Sequence, residues 1–183
     1  MSIYDDIKHV LISEEELSAI VKRLGRQISD DYQGKNLLLV SILKGSVMIM
    51  ADLMRAIDIP MEIDFMAVSS YGGNTKTSGA VKILKDLDRD IHGYDLLIVE
   101  DILDSGKTLS YLKKMLTERL PNSIKICTLF DKPDRREVAD IKADYVGSLV
   151  PDEFIVGYGL DFDQKYRNLP FVGVLKDELI PKE

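Results

Sequence analysis

The chain has one cysteine, two histidines and no apolar run long enough to cross a membrane. Cys127 has no partner for an intrachain disulfide, which fits a reducing, cytoplasmic setting. A zinc centre of the His/Cys kind takes four such ligands, and this supply falls short. Cys127 lies in the apolar stretch IKICTLF, so a buried thiol is expected rather than a nucleophile. The opening MSIYDDIKHV has neither the basic flank nor the apolar core of a secretory signal. Positive charge is in short supply as well: 24 Lys and Arg face 31 Asp and Glu, a net charge of -7. Such a surface repels nucleic acid and anionic membrane, so neither is an expected partner. A small anion in a locally positive site is still compatible with it. Repeats, low-complexity tracts and linkers are missing too. The length of 183 residues suits one domain, expected to occupy 1–183.

What is present alternates between helix and strand. In SEEELSAIVKRLGRQISDDY, Ser13 and Glu16 have capping-box spacing, and Leu17, Ile20, Val21, Leu24 and Ile28 share a helical face. NLLLVSIL is a continuous apolar run, the mark of a strand buried on both faces. Gly45 breaks it, and SVMIMADLMRAI predicts a second helix. MEIDFMAVSS and AVKIL predict strands on either side of the glycine-rich YGGNTKTSG. YDLLIVE predicts a buried strand, KTLSYLKKMLTERL a helix, and SIKICTLF another buried strand. The tail carries short apolar pieces, YVGSLV, FIVGYG and FVGVL. Buried strands alternating with helices predict an α/β fold with a largely parallel, twisted sheet flanked by helices. Ligands in such sheets sit beyond the carboxyl ends of the strands. There the chain places LKGS at 43–46, EDILDSGKT at 100–108 and DKPDRR at 131–136.

Ser105-Gly106-Lys107-Thr108 lies at a strand-to-helix turn. It suits either an anion held by helix-start N–H groups or an ordinary glycine turn with a serine cap. A P-loop requires Gly at position 101, where this chain has Asp. Glu100 and Asp101 would repel a phosphate. They suit groups that donate hydrogen bonds, such as ribose hydroxyls, or a divalent cation. Phosphate turn and acids together describe a seat for a ribose 5-phosphate.

VEDILDSGKT resembles the phosphoribosyl-pyrophosphate fingerprint of the type I phosphoribosyltransferases. The Glu-Asp form of its acids and the other motifs resemble the hypoxanthine-guanine branch, from LKGS at 43 to the segment ending near Arg167. The resemblance implies the type I fold, with a small hood formed by chain-terminal segments. It implies transfer of 5-phosphoribosyl from phosphoribosyl pyrophosphate to a 6-oxopurine, with magnesium, in purine salvage. Asp104 matches the general base. Glu100 and Asp101 match the acids facing ribose hydroxyls and magnesium, and Ser105, Gly106, Lys107 and Thr108 the 5-phosphate cradle. Lys44, Gly45 and Ser46 match the pyrophosphate loop, where the peptide before the Lys can be cis. Residues 69–79 match a mobile lid, with Ser70 and Tyr71 at its start, and Arg167 a further pyrophosphate contact. Lys132 matches the donor to the 6-oxo group, Phe154 the aromatic that stacks on the base, and Ile155 a neighbour contacting its edge through main chain. Asp161 matches a purine-side acid that also serves magnesium. Relatives form dimers and tetramers, so a homodimer or homotetramer is expected. A xanthine-preferring enzyme and a regulatory RNA-binding relative of the same fold are the alternatives; the charge balance disfavours the second.

Overall fold

Leu37–Leu43 forms the central strand β2 of a six-stranded sheet. Its first six residues are all buried, as a strand covered on both faces requires. The computed structural model describes residues 2–70 and 81–180. In chain order it contains β1 (Ile7–Ile12), α1 (Glu14–Asp31), β2, α2 (Val47–Ala56), β3 (Glu62–Ser70), β4 (Val81–Lys85), β5 (Asp95–Leu103), α3 (Lys107–Thr117), β6 (Ser123–Asp131), β7 (Tyr145–Leu149), β8 (Ile155–Val156) and β9 (Val172–Leu175). The main sheet has the order β4-β3-β2-β5-β6-β7, parallel throughout except for the antiparallel pair β3–β4.

Side chains of successive strand residues point to opposite faces and so build two cores. Leu39, Leu97, Val99 and Cys127 pack with Leu17 and Leu24 of α1 and Ile49 and Leu53 of α2. Leu38, Val40, Leu96, Ile98 and Ile126 pack with Leu109, Leu112 and Leu116 of α3. The Cys127 thiol is buried, and burial pushes its pKa up to about 12. The capping box of α1 forms: Glu16 N donates to Ser13 Oγ (3.2 Å) and Ser13 N to Glu16 Oε2 (2.8 Å). Where α1 crosses α2, Gly25 lies directly against the Ala56 backbone and Cβ.

Chain-terminal segments form a second, antiparallel sheet of order β1-β9-β8 above the first, which is the expected hood. Three local expectations change. The strand expected to end at Glu100 continues to Leu103, so Glu100 and Asp101 are strand residues. The helix expected to reach 120 ends at Thr117. β1 carried no periodic signal, because only Ile12 of its six residues is fully buried. Ser69 and Ser70 end β3, whereas Tyr71 and the remainder of the expected lid lie outside the described residues. Among the described residues, no helix is long and apolar enough to cross a membrane.

The sheet also has a switch point. From β2 the chain crosses by α2 to β3 on one side; from β5 it crosses by α3 to β6 on the other. Pairing of β2 with β5 stops at Ser41 and Val99, so the carboxyl ends of the two strands diverge. Such a crevice is where open α/β sheets bind ligands. At the α1–α2 crossing, Gly25→Ala is expected to destabilise by about 1–3 kcal/mol through overpacking, although Ala is the better helix former. Thermal unfolding should show a fall in Tm on the order of 5 °C.

Candidate functional site

The turn leaving β5 is braced from below. Gly106 has φ +83° at the start of α3, and any Cβ there would overlap Ile141. Ser105 O accepts from Glu137 N (3.0 Å) and Val138 N (3.2 Å), which locks the turn to the segment after β6. Lys107 turns its side chain to an ion pair with Glu137, so only its main chain faces the turn's interior. Glu100, Asp104, Ser105, Gly106 and Thr108 line a cavity of about 90 Å³ at this helix N-terminus. Helix-start N–H groups and the two hydroxyls give it the character of an anion seat.

Asp104 is part of that cavity's lining. Arg136 Nη1 donates to its carbonyl (2.5 Å), and the same guanidinium pairs with Asp131. The Asp104 side chain is half-exposed, yet Oδ1 is buried and has no hydrogen-bond partner. The nearest cation is Arg135, with Nε 3.6 Å from Oδ1. Asp104 Oδ1 has no hydrogen bond to give up before it accepts a proton.

Strand geometry separates the adjacent acids. Glu100 opens toward the α3 side and the anion cavity, whereas Asp101 points to the α2 side and lies directly against Gly45. Burial, and then the charge of Asp101, raise the Glu100 carboxyl well above its usual range. Its Oε2 is buried without a partner. Burial also raises Asp101 to about 6, opposed by the Ile102 N–H (2.8 Å) and by Arg167 and reinforced by Asp161.

The loop after β2 closes the other side of the crevice. The Leu43–Lys44 peptide is cis. Ser46 is fully buried, and its hydroxyl is engaged with Ser41 Oγ (2.7 Å) and Ile42 O, leaving only main chain to face a ligand. From the hood, Gly159 (φ +102°) lies against Gly45 O, so a Cβ at 159 would push the two segments apart, whereas a Cβ at 45 would strike the Asp101 carboxylate. Arg167 donates to Gly159 O (2.7 Å) and pairs with Asp161 Oδ1 (2.7 Å). Gln164 Oε1 accepts from both Lys44 Nζ (3.1 Å) and Arg167 Nη2 (3.3 Å). This amide holds two candidate pyrophosphate cations together, and its sequence carried no signal for that role.

On the remaining rim, the buried Lys132 donates through Nζ to Glu153 O (2.7 Å), with Asp152 Oδ1 3.7 Å away. Phe154 is 39% exposed and makes an edge contact with Phe162, ring centroids 5.3 Å apart. Ile155 is buried in β8 and offers only main chain. Glu100, Asp104, Ser105, Gly106 and Thr108 share one cavity, Asp101 lies against Gly45, Lys44 and Arg167 meet at Gln164 with Asp161 beside Arg167, and Lys132 connects through Asp152 and Arg135 to Asp104. Tyr71 lies outside the described residues. Arg135 and Arg136 were visible only as part of DKPDRR, without assigned roles.

Glu100, Asp101 and Asp161 do not form one preformed ligand set. Among the described residues, no three His, Cys, Asp or Glu side chains stand together as a metal cluster. Magnesium commonly takes one or two carboxylates and completes its shell with ligand oxygens and water. The unpartnered Glu100 and the raised Asp101 fit that mode, while Asp161 is held by Arg167.

A sequence model of the phosphoribosyl transferase domain matches residues 12–163. The chain is 58% identical over 177 residues to the hypoxanthine-guanine phosphoribosyltransferase of Streptococcus thermophilus (strain CNRZ 1066), covering 97% of this chain and 98% of the relative. The hypoxanthine phosphoribosyltransferase of Staphylococcus aureus superposes with a TM-score of 0.94 at 52% identity, over 98% of this chain and 97% of that one. A hypoxanthine-guanine phosphoribosyltransferase of Bacillus anthracis gives 0.86 at 48% identity, over 93% and 98%.

Asp101 yields a pH prediction for the magnesium-free, ligand-free protein. Its folded pKa of about 6 lies above the ordinary 3.8. Between those values the folded state binds more protons than the unfolded one, so this group lowers stability increasingly as pH rises, and constantly above about 6. Asp101→Asn, which stays neutral, should therefore stabilise by at most about 3 kcal/mol at pH 7. The gain should disappear by about pH 4 in urea titrations run across that range.

Proposed function

The chain belongs to the phosphoribosyltransferase family, and we propose that it salvages purines by making IMP from hypoxanthine, and GMP from guanine, with phosphoribosyl pyrophosphate as the other substrate. One catalytic unit spanning 1–183, acting in the cytoplasm as a homodimer or homotetramer, carries this reaction. The observation that bears most weight is Asp104: a buried carboxylate oxygen without a hydrogen bond, on a residue that lines the 105–108 anion seat.

The bond from ribose C1 to pyrophosphate breaks with its electron pair leaving on the pyrophosphate, and C1 bonds to a purine nitrogen. The proton at N7 passes to Asp104. Main-chain N–H groups and hydroxyls of Ser105 to Thr108 hold the 5-phosphate. The ionised Asp104 also favours the positive charge that develops at C1. Lys44, Gly45 and Arg167 receive the leaving group, aided by main chain at Ser46. Gln164 keeps Lys44 and Arg167 together before pyrophosphate arrives. Glu100 on one face of β5 and Asp101 on the other would offer carboxylates to magnesium, which would supply positive charge to the leaving group.

Lys132 selects the base. In exchange for Glu153 O it donates to the 6-oxo group; adenine presents an amino donor there and would leave the buried ammonium unpaired. Phe154 offers an exposed ring for stacking.

Pyrophosphate release, measured with hypoxanthine, guanine, xanthine and adenine in turn, tests the reading: the first two should turn over and adenine should not. Asp104→Asn should lower kcat by about 10²–10⁴ while nucleotide still binds. Undiminished turnover would remove Asp104 from its role. Lys132→Ala should cut the preference for 6-oxopurines over adenine by about tenfold or more in kcat/KM. An unaltered preference would place Lys132 outside base recognition.

A further inference from the structure

Arg135 lies between two acids. Its Nε lies 3.6 Å from Asp104 Oδ1 and its Nη1 3.5 Å from Asp152 Oδ1. The same Asp152 oxygen lies 3.7 Å from Lys132 Nζ. Four alternating charges therefore run in a row: Lys132, Asp152, Arg135, Asp104. One end reads the 6-oxo edge and the other accepts the proton. The Arg135 side chain is 55% exposed, so packing constrains it little and the two carboxylates are its charged neighbours. Its neighbour Arg136 contrasts with it, being 13% exposed and gripping the Asp104 carbonyl and Asp131.

We propose that Arg135 is a positioning residue for the general base, and that Asp152 is its anchor. This rests on the assignment of Asp104 as that base. A carboxylate on a turn rotates freely unless something fixes it; Oδ1 has no hydrogen bond to do so. A guanidinium presents its N–H groups in a rigid fork and can address two carboxylates from different edges at once. Both gaps lie just beyond hydrogen-bond length, so the tether is charge attraction that steers Asp104 without capturing the lone pair it needs. Through Asp152 the same tether fixes the proton acceptor relative to Lys132. The purine is thus addressed at its 6-oxo edge and at N7 by groups held in one frame. The sequence offers this frame in DKPDRR, where Lys132 and Arg135 are three residues apart.

The test is the single-turnover rate of IMP formation by the full chain with saturating hypoxanthine, phosphoribosyl pyrophosphate and magnesium. Arg135→Ala should slow it about three- to fivefold, the scale of an exposed ion pair, with KM for both substrates and Tm nearly unchanged. Arg135→Lys should recover only part of the loss, since it keeps the charge and loses the fork. Asp152→Asn should slow the step in the same sense and add nothing to Arg135→Ala. In an Asp104→Asn background, Arg135→Ala should have no further effect, because a tether acts only through what it holds. An equal fold-loss in both backgrounds overturns the tether and leaves the base assignment standing. A raised KM with an unchanged rate also overturns it, making Arg135 a substrate contact. Normal turnover by Asp104→Asn alone removes the base and the tether with it.

Discussion

The contact of Gly45 with the Asp101 carboxylate is the constraint on which the site depends. It forms where β2 and β5 cease to pair and their ends diverge. A side chain at 45 would wedge that crevice open. The hood then settles on the same point, since Gly159 lies against Gly45 O. Gly45 and Gly159 thus meet main chain to main chain, and the Asp101 carboxylate closes on Gly45 from β5. The N–H and C=O groups of the two glycines can reach a ligand that a Cβ would hold off.

That closeness raises the free energy of the ligand-free protein. Two carboxylates are desolvated at the end of β5, and burial favours their neutral forms. Arg167 offsets part of this for Asp101, while Asp161 and Gln164 hold Arg167 in place. The arrangement would be poor design for stability alone. Under the proposed function it becomes sensible, since hydroxyl groups and a divalent cation would approach the acids and pyrophosphate the cations. Functional sites commonly trade stability for such readiness.

Much of this was legible in the residues. Continuous apolar runs at β2, β5 and β6 announced buried parallel strands, and the Ser13–Glu16 spacing announced the start of α1. The motifs at 43–46, 100–108 and 131–136 fell at strand ends, where the topology gathers them. What could not be read has physical causes. β1 is a strand because β9 offers it partners, and its own alternation is too weak to declare it. Glu100 and Asp101 read as a rim pair, but a strand that runs on to Leu103 sends them to opposite faces. Ser46 matched the pyrophosphate loop, but the inward bonding of its hydroxyl to Ser41 and Ile42 depends on packing that the sequence does not display. Gln164 meets Lys44, and Arg135 meets Asp104 and Asp152, partners brought close only by the fold.

The central claim is that a sugar phosphate sits on the main chain at 105–108 with its base turned toward Asp104 and Lys132. A crystal structure with IMP bound tests it most directly. The account predicts the 5'-phosphate oxygens at about 3 Å from N–H groups of Ser105 to Thr108. It also predicts the purine stacked on Phe154, with its 6-oxo group at Lys132 Nζ. Phosphate density at any other place, or a base facing away from Asp104, would contradict it.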